Sequence, residues 1–184
     1  MSVTDPARTL IDCARLYPFA QMLSVFDSAS TKGLLVPTQV QATCASMRAD
    51  TSAVSKLLRY ANGLSANGGE SYCRALIIEA GFEVPELQHR FIDPKTRQKY
   101  YTDFLRRLDN GKVIVLEYDG IEEYANPDMT HGRAGWGVVN EERQREDALK
   151  RAGVTDIRRI SSQEINQPGL LVSRLERVGV PKCF

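Results

Sequence analysis

Charge of one sign is what this chain has least of. Its 24 Lys and Arg stand against 23 Asp and Glu, a formal net charge of +1 over 184 residues. No bulk basicity advertises nucleic acid, so any such surface has to come from local clustering. Histidine and cysteine are also scarce. His89 and His131 lie far apart, and Cys13, Cys44, Cys73 and Cys183 form no Cys-x-x-Cys pair. That pattern argues against a zinc site and reads as reduced thiols of a cytoplasmic protein. Apolar runs are all shorter than the roughly 18 residues a membrane span requires. The first residues show no basic region followed by an apolar core, so no secretory signal is expected. What remains is 42% hydrophobic and 26% charged, an ordinary balance for a globular chain with one core and room for a smaller appended segment.

The first 64 residues read as helical throughout, and nothing in them alternates with period two. Asp5-Pro6 is a helix start, with Asp as cap and Pro at the first helical position. Leu10, Ile11, Ala14, Leu16, Phe19, Met22, Leu23 and Phe26 recur at roughly helical spacing, with Pro18 splitting or kinking the run. Lys32-Gly33 ends it, a further helix starts at Val36-Pro37-Thr38, and another covers Ser52 to Tyr60. The loop Asn62 to Gly69 is the expected boundary between an N-terminal helical segment (1–64) and a second domain (65–184). From Glu70 the order is helix, three strands with an Asp93-Pro94-Lys95-Thr96 turn between the first two, a polar loop from Glu122 to Gly137, a charged helix from Asn140 to Ala152 ending at Gly153, a strand and a helix. A strand meander followed by a helical crossover predicts an α/β fold, a mixed sheet flanked by helices.

Residues 101 to 120 carry the chemistry. Val113 to Leu116 is a continuous apolar run, so the sheet is expected to be buried, and acids at the end of a buried hairpin are costly without a partner. Asp109-Asn110-Gly111 suits a three-residue loop with Gly at positive φ. Leu108 then pairs with Lys112 and Asp103 lies across from Glu117, with Cβ atoms about 5 Å apart. Asp119 points to the same face as Glu117. The competing two-residue Asn-Gly turn would instead set Asp103 opposite Tyr118. In the first register the carboxylates suit a Mg²⁺ or Mn²⁺ ion, whose hard-oxygen preference and open coordination fit phosphodiester chemistry. The alternative is a strand end with solvated acids.

Several pieces together resemble the PD-(D/E)XK nuclease superfamily, and within it the Vsr-like endonuclease-type domains. They are Glu70-Ser71 with Arg74, Pro85 with Gln88, Tyr101-Thr-Asp103-Phe, Glu117-Tyr-Asp119-Gly120, and Glu142-Arg-Gln-Arg-Glu-Asp147 with Leu149 and Gly153. The resemblance covers residues 65 to 165 and implies a restriction-endonuclease-like fold. Val3 to Asp12 followed by Asp27-Ser-Ala looks like the middle segment of AbiEi-like proteins, which usually begin with a winged helix. None precedes residue 3, and a short relative or a truncation would both give that pattern. The superfamily pattern wants Lys two residues after the acid, where this chain has Asp119. Such a Lys orients the attacking water and supports developing charge. Relatives also often carry His shortly after the Asp-Gly, where this chain has Ile121-Glu-Glu-Tyr124.

The resemblance implies a metal-dependent endonuclease acting on DNA. Asp103 and Glu117 would hold the metal, Asp119 would assist, Glu70 would complete the acid cluster and Arg143 would stabilise the phosphate. Arg106, Arg145 and Trp136 are candidate nucleic-acid contacts. Each has a plainer reading: Glu70 as an acid complementing a helix dipole, the arginines as solvated or paired at i,i+4, Trp136 as a loop anchor. The alternative for the whole chain is a nuclease scaffold that binds DNA or a protein partner without catalysis, an antitoxin or regulator. A toxin or phage component as tight partner is a third expectation.

Overall fold

The computed structural model describes residues 4–120 and 135–183. The chain divides into two compact units, Met1–Glu79 and Ala80–Phe184. The expected boundary after residue 64 therefore moves to the end of the fifth helix, whose packing partner lies far back in the sequence.

The first unit is helical: α1 (Pro6–Ala14), α2 (Phe19–Thr31), α3 (Pro37–Ser46), α4 (Ser52–Tyr60) and α5 (Gly68–Glu79). Asp5 caps α1 by accepting from the Arg8 N–H at 2.9 Å, and Pro18 separates α1 from α2 rather than kinking one helix. The core gathers Leu10, Ile11, Met22, Leu23, Phe26, Val40, Val54 and Leu57 with Ala75 and Ile78 of α5. A buried ion pair joins α2 to α5. Arg74 Nη2 donates to both Asp27 oxygens at 2.8 and 2.7 Å, while Arg74 Nη1 donates to the Tyr60 carbonyl. Asp27 Oδ1 also accepts from the Asn62 N–H. An ion pair out of water is tolerable only when its remaining hydrogen-bonding capacity is used, as most of it is here.

The second unit is α/β, with a four-stranded mixed sheet in the order β1 (Glu86–Ile92), β2 (Lys99–Arg107), β3 (Val113–Asp119), β4 (Asp156–Ser161). The first three strands are an antiparallel meander. Helix α6 (Gly135–Arg151) lies in the crossover to β4, which runs parallel to β3. Leu149 of α6 packs with Phe91, Leu105, Val115 and Val154, so this helix covers one sheet face. Gly153, at φ +99°, turns the chain out of α6, a backbone shape glycine adopts without strain. Ser161 and Glu164 form a capping box on the short α7 (Ser162–Ile165), and α8 (Pro168–Val178) follows.

The hairpin takes the three-residue register. The Leu108 N–H donates to the Lys112 carbonyl at 2.8 Å, Gly111 sits at φ +84°, and the ladder runs from Arg107↔Val113 to Phe104↔Leu116. The Asn-Gly register is thereby set aside. The Asp93-Pro94-Lys95-Thr96 turn also forms, and the fully buried Asp93 accepts from Arg151 Nε and Nη2 at 3.0 and 2.8 Å. Helix α6 begins five residues earlier than its expected start at Asn140, so the backbone of Trp136 is helical rather than in a loop. The stretch 121–134 and the side chain of Trp136 lie outside the described residues. No helix among the described residues is long and apolar enough to cross a membrane.

Candidate functional site

Continuing the β2–β3 ladder one step past Phe104↔Leu116 sets Asp103 opposite Glu117. There the Asp103 side chain takes over from the backbone: Oδ2 accepts from the Tyr118 N–H at 2.8 Å. Its Oδ1 faces the Gln88 amide at 3.4 Å, and Gln88 itself lies at φ +48°, a strained conformation for this residue type. Glu117 Oε1 accepts from Arg145 Nη2 at 2.7 Å, and the same nitrogen donates to the Tyr101 carbonyl at 2.6 Å. Glu117 is only 17% exposed.

The electrostatics follow from this crowding. Burial pushes the Glu117 carboxyl up to about 7; Arg145 opposes the rise, while Asp103 and Glu142 add to it. Asp103 is also raised, first by burial and further by Asp119, with the Tyr118 N–H, Arg145 and Gln88 pulling the other way. Two half-buried carboxylates that resist ionising together are a site for a proton or for a cation.

Beyond Glu117, α6 carries an alternating run of charge. Glu117 is the register partner of Arg159 in the parallel pair. Arg159 pairs with Glu142 and Glu146, and Glu146 pairs with Lys150 at 3.7 Å. Residues 142, 145, 146 and 149 recur at i, i+3, i+4 and i+7, one helix face, and Leu149 on it is buried.

Of the site residues expected from sequence, the structure brings together Asp103, Glu117, Asp119 and Arg145. Arg143 is exposed on α6, and Arg145 holds the position expected of it. The side chain of Arg106 points away from that of Glu117, because its ladder partner Ile114 is three residues from Glu117 on β3. It pairs with Glu83. Glu70 belongs to the first unit, where it closes the start of α5. Its oxygens accept from the Ala66 N–H at 2.8 Å and the Asn67 side-chain amide at 3.0 Å, and Asn67 Oδ1 accepts the Glu70 N–H. That is a capping arrangement, the plainer of its two readings. Sequence reasoning passed over Arg159 and Glu142 as neighbours of Glu117. The spacing of 142, 145 and 146 relative to Leu149 was the available signal.

Among the described residues, no group of three or more His, Cys, Asp or Glu side chains is arranged to hold a metal ion. Asp103 and Glu117 supply hard oxygen donors, and Glu117 Oε2 accepts nothing from the described residues. Hard oxygen donors of this kind are the ones Mg²⁺ and Mn²⁺ take.

No family model matches the chain, and no solved structure does. It is similar to two proteins of Mycobacterium tuberculosis, "Uncharacterized protein MT2308" and "Uncharacterized protein Rv2248", each 26% identical over 177 residues. The match takes in 95% of this chain, which spans 60% of the length of each relative.

Proposed function

We propose that the second unit is a divalent-cation-dependent endonuclease-like domain that hydrolyses phosphodiester bonds in DNA. One observation carries the reading: Asp103 and Glu117 lie side by side, half-buried, where the hairpin ladder ends, and burial raises both carboxyls, with Asp103 adding to the rise at Glu117. A meander of three strands, a helix and a parallel fourth strand supports a restriction-endonuclease-like core for this unit. Asp103 and Glu117 would hold Mg²⁺ or Mn²⁺, with Asp119 two residues along the strand assisting. Such an ion, when bound, acidifies water and offsets the charge on a phosphate. Arg145 supplies the positive group that the family pattern draws from the missing Lys, and its guanidinium fork suits phosphate oxygens. Gln88 and the Tyr118 N–H orient Asp103.

The alternative is a nuclease scaffold that binds DNA or a protein partner without cleaving. The observation favouring it is the Arg145–Glu117 pair, a built-in cation on one of the two carboxylates. A plasmid-nicking assay in Mg²⁺ or Mn²⁺ separates the readings. Nicking by the wild type, lost in Glu117→Ala, supports the enzyme. Plasmid binding with no nicking in either ion supports the scaffold.

A further inference from the structure

A second charged feature lies along β4 and α8. A cavity of about 260 Å³ is lined by Ile157, Arg158 and Arg159 of β4 and by Arg174, Arg177 and Val178 of α8. Four of its six lining residues are arginines, and among the described residues no carboxylate lines it. Asp103, Glu117 and Arg145 take no part. Strand β4 is the last in the sheet order, so the cavity opens at a sheet edge.

Three of the arginines are held by carboxylates from outside the cavity. Asp156 Oδ1 meets Arg158 Nε at 2.8 Å, Glu142 and Glu146 pair with Arg159, and Glu164 Oε1 meets Arg174 Nη2 at 2.6 Å. Arg174 Nη1 also donates to the Arg159 carbonyl, tying α8 to β4. Arg177 is exposed and has no ion pair among the described residues. The first three are therefore pre-positioned and lose little freedom when an anion arrives. The fourth is available to close on it.

We infer that this cavity binds a phosphate group. Guanidinium forks match phosphate oxygens in geometry and charge, and the exposed Arg177 supplies a cation that no carboxylate among the described residues neutralises. The volume falls below the roughly 300–1,000 Å³ that encloses a drug-sized ligand, so the cavity takes a phosphate and leaves the rest of the ligand outside. The phosphate comes either from a nucleic-acid backbone or from a free phosphate compound.

The test uses the full chain in EDTA, so that divalent-cation chemistry is silent, with two probes. One is a fluorescein-labelled DNA duplex followed by anisotropy, the other inorganic pyrophosphate followed by calorimetry. The variants are Arg177→Ala, Arg158→Ala and, as an exposed cation outside the cavity, Lys95→Ala, all checked for an unchanged melting temperature. For a backbone phosphate, each arginine variant weakens duplex binding about tenfold and lowers the salt slope by about one, and Lys95→Ala does neither. For a free phosphate compound, pyrophosphate binding weakens about tenfold while the duplex is unaffected. The proposal is overturned if neither probe binds the wild type, if both arginine variants bind like the wild type, or if Lys95→Ala weakens binding as much as they do.

Discussion

At the scale of single residues, Glu117 has the most consequence. Its carboxyl titrates near pH 7 in the folded chain against an ordinary 4.5, chiefly because it is buried. Between those values the folded state binds more protons than the unfolded chain, so stability falls as pH rises through the window and levels off above it. Urea midpoints in EDTA should decline from about pH 5 to about pH 7.5 in the wild type and stay nearly flat in Glu117→Gln. A wild-type profile without that decline would show the site to be wetter than its geometry implies. Arg145→Gln removes the main influence opposing the rise. The carboxyl carbon resonance of Glu117 should then titrate at higher pH than in the wild type, and a downward move would contradict the pairing.

At the scale of elements, the hairpin depends on Gly111 at φ +84°. Gly111→Ala strains that turn and should cost about 1 kcal/mol or more in denaturant titrations. In the first unit, the Asp27–Arg74 pair ties α2 to α5 with side chains 3% and 2% exposed. Arg74→Met leaves Asp27 buried without its cation and should cost about 3–5 kcal/mol, while the double variant Asp27→Leu/Arg74→Met recovers much of that loss. Elements whose signals are local were legible in the sequence. Asp5-Pro6 marks a helix start, Pro18 a break, Gly153 a helix end, and Asp109-Asn110-Gly111 fixes the register that sets Asp103 beside Glu117. What escaped depends on partners distant in the chain. Helix α5 belongs with α2, 47 residues earlier at the Arg74–Asp27 pair, so the loop before it is not the boundary between units. Gly135-Trp136-Gly137 has the composition of a loop yet starts α6, because packing further along the helix overrides glycine's local cost. Which arginine of α6 faces Glu117 depends on the rotation of the helix, which the buried Leu149 sets, and that rotation places Arg145 there.

At the scale of the whole molecule, two carboxylates of opposite tendency shape stability against pH. Asp93 is held far below its ordinary 3.8, first by the Arg151 guanidinium and then by the Lys95 N–H and the Thr96 hydroxyl. Its contribution is complete above that ordinary value and is lost as pH falls through the folded one. The protein should thus be most stable in mildly acidic solution, between the range where Asp93 protonates and the range where Glu117 ionises, and Arg151→Gln should lower stability at neutral pH and flatten the acid limb of that curve. With a net charge of +1, attraction to a polyanion has to come from local clusters such as the arginines of β4 and α8 rather than from the overall field. Whether the carboxylate pair takes up a divalent cation is read by calorimetric titration of the full chain with Mn²⁺. Binding should tighten from about pH 6 to about pH 8 as Glu117 gives up its proton and be lost in Asp103→Asn and in Glu117→Gln. No heat of binding in the wild type at any pH, or equal binding in all three proteins, would contradict it.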